Sequence, residues 1–242
     1  MTGNNFGDTF RLKLYSNLKK NRRILMQPNP YTGLFIALEG MDGAGKETQA
    51  INICLWLKER GFTVIKTQEP WNGLGSQTYE RLDRIVYRKA EERSPEEIQY
   101  LFIDNRREHL EQEIEPNLAA GIAEITERYA FSTVAYGAAT SKVPIKTFLD
   151  KQDGFLFPDL TIILDLPVEI SISRLPIERH LFEKQDILRK VRSNYFVLAN
   201  IFSTSGVRIV DGNKSPEEVF GQIIQYLELI IAIKHQRFLR EL

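Results

Sequence analysis

Cysteine is nearly absent from the chain: Cys54 stands alone among 242 residues. That excludes an internal disulfide and any cysteine-based zinc site, and its place in the apolar run ICLWL reads as a buried thiol. Neither sign of charge is in excess, with 32 Lys and Arg against 32 Asp and Glu. No bulk positive field therefore draws the protein to nucleic acid or to an anionic membrane, and a small-molecule partner is expected. No apolar run reaches the roughly 18 residues of a membrane span, and no signal-peptide pattern is visible. The expectation is a cytoplasmic protein with no membrane or nucleic-acid partner. His109, His180 and His235 are too scattered along the chain to suggest a metal site. Repeats and low-complexity segments are lacking as well.

What is present suffices for one sizeable core, since 43% of the residues are hydrophobic, and one α/β domain is expected over residues 33–242. Residues 1–32 read as a basic extension and linker: six basic side chains between Arg11 and Arg23 oppose only Asp8, and QPNPYTG punctuates the chain. Phe10, Leu14 and Leu18 share helical spacing in FRLKLYSNLKKNRRIL. The segment reads as a solvated or loosely docked tail, with a basic amphipathic helix as the alternative.

From there strand-like and helix-like segments alternate. LFIALEG, FTVIKT, GIAEITERY, PDLTIILDL and GVRIVDG are strand-like; KETQAINICLWLKERG, the long run from Ser94 to Gly121, LPVEISISRL, EKQDILRKVRSNYFVLANIF and the run from Ser215 are helical. Two of the helices open with Ser-Pro-Glu-Glu, a start signal that places Ser at the cap, Pro in the first turn and acids at the positive end of the dipole. Five strands alternating with helices predict a parallel sheet covered on both faces.

The stretch GMDGAGKETQ carries the chemistry. A strand runs into a glycine-rich turn and then a helix, the context in which such a loop cradles nucleotide phosphates. Gly40, Gly43 and Gly45 allow backbone N–H groups to turn inward, the helix N-terminus favours an anion, and Lys46 adds a point charge. Gly40, Met41, Asp42, Gly43, Ala44, Gly45, Lys46, Glu47 and Thr48 are thus the residues expected along the ATP phosphates. Glu47 occupies the position where the pattern has a Ser or Thr hydroxyl for magnesium, and Thr48 comes one residue late. The expectation is that Glu47 points away and that Mg²⁺ is held through waters.

Five stretches in order, LEGMDGAGKETQ, TQEPWNG, YLFIDNRREH, ERYAFSTVAYG and PDLTIILDL, make the chain resemble the thymidylate kinases over about residues 34–230. The resemblance implies a P-loop nucleoside monophosphate kinase fold and transfer of the γ-phosphoryl group of Mg-ATP to dTMP. It implies that Phe102 stacks on the base and Arg106 faces the thymine carbonyl edge; their i, i+4 spacing puts both on one helix face, which supports the pairing independently. Arg128 and Arg84 would hold the acceptor phosphate. Asp42 would lie near the sugar 3′-hydroxyl, with Thr133 also in the dTMP site. Tyr136 would pack on the deoxyribose and exclude a 2′-hydroxyl, and Glu127 would assist Mg²⁺ through water. The phosphate loop has no arginine for the transferring group, so a lid at about 174–184 would supply Arg174 or Arg179. A homodimer is also implied. Four departures stand out: Glu47, Gln68 for the Arg of TREP, Trp71-Asn72 for a glycine pair, and Gly137 where many members have a Gln beside the base. They keep two alternatives in view, a kinase of another monophosphate such as dUMP and a non-catalytic nucleotide-binding homologue.

Overall fold

The computed structural model describes residues 26–175 and 185–241. Among the described residues there are seven strands: β1 (Gln27–Pro28), β2 (Phe35–Gly40), β3 (Val64–Gln68), β4 (Ala123–Glu127), β5 (Leu156–Phe157), β6 (Leu160–Asp165) and β7 (Val207–Asp211). The five longer ones form one parallel sheet in the order β3-β4-β2-β6-β7. They are the five strands expected from the sequence. Central β2 is buried along its whole length, as a parallel strand covered on both faces must be. Each of its large aliphatic side chains contributes roughly 1.5–3 kcal/mol on burial.

Between the strands run α1 (Lys46–Lys58), α2 (Gln77–Leu82), α3 (Pro95–His109), α4 (Glu115–Ala119), α5 (Ala130–Thr140), α6 (Ile145–Asp150), α7 (Val168–Ser173), α8 (Gln185–Ile201) and α9 (Pro216–Glu241). Both Ser-Pro-Glu-Glu signals open helices. At α3, Ser94 and Glu97 exchange hydrogen bonds with each other's backbone N–H, and Ser215 and Glu218 do the same at α9. Each such cap is worth about 1 kcal/mol. After α2 and α3 the helices widen for one turn each, over Asp83–Tyr87 and Leu110–Ile114, a distortion the 3.6-residue period does not announce.

The stretch read as a linker is built into the domain. β1 pairs with β5 in parallel, Met26 is 1% exposed, and the Asn29 amide donates to Gly33 O and to Asp159 Oδ2. Pro28 is itself one of the two residues of β1, opposite Phe157. The amphipathic-helix reading of residues 10–25 falls outside the described residues.

Candidate active site

The sheet delivers the site at its carboxyl edge, where β2, β4 and β6 end side by side at Gly40, Glu127 and Asp165. Ligands bind outside that edge in parallel α/β sheets. The chain leaves β2 through Gly40, Gly43 and Gly45, all at positive φ. Packing also demands two of these glycines: a Cβ on Gly40 would meet Leu164 O at 2.6 Å, and one on Gly43 would meet Ser171 O at 2.7 Å. Close approach of α7 therefore fixes the loop, reinforced by Ser171 Oγ donating to Asp42 O at 2.6 Å.

Lys46 is 8% exposed and donates to Met41 O at 2.8 Å and Gly40 O at 3.2 Å. Burial, with help from the Arg128 charge, pulls its pKa down to about 7. Glu47 and Thr48 are exposed in the first turn of α1. An acid there complements the helix dipole, a structural reason for a carboxylate at this position.

Arg128 follows β4 with φ +67°, a conformation bulky side chains rarely take. Its guanidinium reaches back to the phosphate loop, donating to Asp42 Oδ1, to Gly40 O at 3.4 Å and to Ser132 Oγ at 3.0 Å. It lies 5.3 Å from the centre of the Tyr136 ring. Lys46 and Arg128 thus donate to the same carbonyl oxygen. Two cations held this close are a site for an anion.

Glu39, read only as part of a strand, organises this corner. It is fully buried and accepts from the N–H groups of Tyr129, Phe131 and Ser132, from Ser132 Oγ and from the Tyr195 hydroxyl. A carboxylate on the central strand thereby satisfies the orphan donors at the start of α5. Burial raises its pKa, opposed by the Ser132 hydrogen bond and by Arg128 and Arg106. The helix it anchors carries Ser132, Thr133 and Tyr136.

Arg106 is 2% exposed. It donates through Nε to Glu69 Oε2 at 2.8 Å, through Nη1 to Gln152 Oε1 at 2.6 Å, and through Nη2 to Glu69 Oε2, Tyr129 O and Thr133 Oγ1. Nη1 has two hydrogens and one of these bonds, which leaves one hydrogen for a base edge. One helical turn earlier, half-buried Phe102 packs against Leu82, Ile85 and Leu101. Thr133 is therefore beside Arg106, as expected for a shared pocket. Arg84 is not brought to this cluster: it is exposed and pairs with Glu91 at 3.2 Å. Glu127 gives one oxygen to Lys66 at 2.6 Å.

On the lid side, Arg174 caps α7 and donates to Gly43 O and Gly212 O, each at 3.3 Å. Arg179 and the rest of the expected lid, residues 176–184, lie outside the described residues. Gly137 has a packing reason, because a Cβ there would meet the buried Phe148 ring at 2.7 Å. In the altered loop, Trp71 folds under Gly73, stacks on His109 with centroids 5.4 Å apart, and donates to Glu113 Oε2 at 2.8 Å.

The residues missed in the sequence were Glu39, Glu69, His109, Glu113 and Gln152. Phe102, Arg106, His109 and Glu113 continue one face at spacings of four, three and four. For His109 and Glu113 that extended stripe was the available signal. Among the described residues no cluster of three or more His, Cys, Asp or Glu could hold a metal ion, and no helix is long and apolar enough to cross a membrane.

A family model described as thymidylate kinase matches residues 38–223. A protein named "Probable thymidylate kinase" from Thermococcus kodakarensis is 34% identical over 210 residues, covering 82% of this chain and 98% of the relative. The thymidylate kinase of Carboxydothermus hydrogenoformans is 34% identical over 204 residues, covering 81% and 97%. That of Methylobacillus flagellatus is 32% identical over 203 residues, covering 81% and 97%.

Proposed function

The chain belongs to the thymidylate kinase family, and from that premise we propose that it transfers the γ-phosphoryl group of ATP to dTMP, giving dTDP. The observation that carries the proposal is the convergence of Lys46 and Arg128 on Gly40 O, at 3.2 and 3.4 Å. The lysine belongs to the loop that holds the donor phosphates. The arginine comes from the far side of the sheet edge, where its planar fork suits an acceptor phosphate. Phosphate oxygens entering from the two sides would replace the carbonyl as partners of both cations.

In-line attack by the acceptor phosphate oxygen needs no general base, because that oxygen is already ionised. Catalysis is positioning and charge neutralisation. Lys46 and the loop N–H groups take the charge on the transferring group. Arg128, steered by Asp42 and Ser132, aligns the acceptor. Arg174 stands against Gly43 and is the described lid-side cation that supports the transition state, with Arg179 as its proposed companion. Phe102 stacks on the base, and the free Nη1 hydrogen of Arg106 reads a base carbonyl. Tyr136, beside Arg128, packs on the deoxyribose. Arg84 enters the acceptor site only if its pairing with Glu91 opens.

Magnesium fits as a water-held ion. Mg²⁺ in nucleotide sites takes one or two carboxylates plus phosphates and keeps several waters, and Glu127 has one oxygen not committed to Lys66 at the end of β4. When bound, it neutralises charge on the β- and γ-phosphates. The proposal includes a homodimer working in the cytoplasm.

The Phe148 ring in the space beside Gly137 favours, as a second reading, a kinase acting on another monophosphate such as dUMP. ADP release from Mg-ATP against a panel of monophosphates separates the two, with Lys46→Ala as background. Greatest turnover with dTMP supports the first reading. Greater turnover with another acceptor replaces it with the second.

A further inference from the structure

Behind Arg106 lies a set of buried ionisable groups that phosphoryl transfer itself does not use. Glu69 is 4% exposed at its side chain and spends Oε2 on Arg106. Its other oxygen, Oε1, is buried with no conventional hydrogen bond, and so is Nδ1 of the fully buried His109. These two orphaned atoms face each other at 3.5 Å. On the opposite side of the ring, Nε2 lies 2.9 Å from Thr67 Oγ1 and 3.7 Å from Glu113 Oε1. The ring plane is fixed by Trp71, stacked at 12°, and the Trp71 N–H holds Glu113.

The charges decide the protonation state. Arg106 offsets one of the two carboxylates, Glu69 and Glu113, and the second, partly exposed and held by the Trp71 N–H, leaves the set one negative charge in excess while the ring is neutral. A neutral imidazole has one N–H, whereas an imidazolium has two, one for each side of the ring. A neutral ring protonated at Nδ1 also joins the orphaned pair, with Nε2 accepting from Thr67, but the imidazolium alone neutralises the set as well.

We propose that His109 is a positioning residue for the acceptor site: as an imidazolium it fixes Glu69, Glu69 fixes Arg106, and the proton on His109 sets how firmly the acceptor base is held. The proposal rests on the assignment of Arg106 to the base. Burial pushes His109 down, but the carboxylates of Glu113 and Glu69 beside the ring outweigh that and leave its pKa raised. Glu113 is correspondingly held at about 2, chiefly by His109. Glu124, the remaining acid within electrostatic reach, is pushed up to about 7 by burial and counts as a partly neutral group. Because the histidine pKa is raised, the proton is present at low pH and is lost as pH climbs through the raised value.

Steady-state kinetics from pH 6 to 9.5 on wild type, His109→Gln and the double variant His109→Gln/Glu113→Gln test this. Wild-type turnover with dTMP settles the acceptor assignment separately, before any variant is compared. The expected result is a KM for dTMP raised about tenfold in H109Q, the size of one charged hydrogen bond, with KM for ATP little changed. The wild-type KM for dTMP should rise at alkaline pH and the H109Q value should not. Removing the surplus carboxylate in the double variant should return KM most of the way to wild type, whereas a packing role would make the two losses add. Parallel pH profiles in wild type and H109Q, or additive losses, overturn the proposal. Should H109Q fail to fold, NMR of the wild-type histidine rings decides, with His180→Gln and His235→Gln to assign them. A His109 ring that is neutral at pH 7 overturns the proposal, whichever monophosphate is the substrate.

Discussion

The two halves of the site are built on opposite principles. On the donor side, a continuous glycine loop presents backbone N–H groups and one lysine, and the neighbouring Arg174 is exposed and holds only carbonyls. On the acceptor side, Arg106 reaches the pocket from a nearly dry interior, locked by Glu69, Gln152, Tyr129 O and Thr133. The difference follows from what each must recognise. Phosphate is read by charge and N–H groups, while a base edge is read by a donor whose direction must not vary. Cations held only by carbonyl oxygens suffice for the first task. The second needs a rotamer held by several partners at once.

The largest effect should come from the donor side. Lys46→Ala removes the loop's cation, and turnover measured by ADP release should fall at least about 10³-fold, within the range seen for cations at transferring phosphoryl groups. Arg174→Ala should lower kcat more than it raises KM for either substrate, because in its proposed role it acts on the transition state. Equal losses in kcat and affinity would instead make Arg174 a ground-state anchor. Neither change should lower the melting temperature much, as both side chains hold only backbone oxygens.

The acceptor side should break in the contrary manner. Glu69→Gln leaves Arg106 buried with its charge uncompensated, and removing one partner of a buried pair costs about 3–5 kcal/mol. At roughly 2–4 °C per kcal/mol for a chain of this size, thermal unfolding should shift down by on the order of 10 °C, with affinity for dTMP lost at the same time. A Glu69→Gln protein that melts like wild type would show that the acceptor side is not the locked structure described here.

These contrasts also explain what could be read in advance. The donor loop is contiguous, so LEGMDGAGK revealed its glycines and lysine directly, and the five strands were visible as apolar runs because a parallel strand is buried on both faces. The acceptor lock draws single residues from after β3, from α3, from the start of α5 and from after α6. Only the Phe102–Arg106 spacing on one helix was visible; nothing in the local pattern marked Glu69 or Gln152 as partners of Arg106. Glu39 was hidden by its own strand, since periodicity does not distinguish a buried cap for a distant helix from an ordinary polar position. Arg84, placed by counting backward from Phe102, lies on the exposed face of the widened turn Asp83–Tyr87 and pairs there with Glu91.

A smaller effect tests the base pocket. Gly137→Gln would drive its Cβ into the Phe148 ring at 2.7 Å, an overpacking that costs about 1–3 kcal/mol. Adding Phe148→Ala should recover much of that loss and, if the new amide reaches the base, should alter the preference between dTMP and dUMP. Recovery of stability without a change in preference would confine Gly137 to packing.

The smallest effect is a proton. Lys46 sits near pKa 7 in the nucleotide-free protein, through burial and the Arg128 charge. Bound phosphates supply the opposite charge and favour the protonated amine, which raises that value again. A lysine with a lowered pKa is deprotonated above about pH 7, so ATP binding at pH 8 should draw up to one proton from solution, and binding at pH 6, where the amine is already charged, should draw almost none. Calorimetric titrations in buffers of different ionisation enthalpy measure that uptake directly, and Lys46→Ala should abolish it. Equal uptake at both pH values, or uptake that survives in the variant, would place the proton on another group. It would also mean that Lys46 keeps its charge beside Arg128 without an anion, and the pull of the paired cations on phosphate would then be weaker than their shared carbonyl suggests.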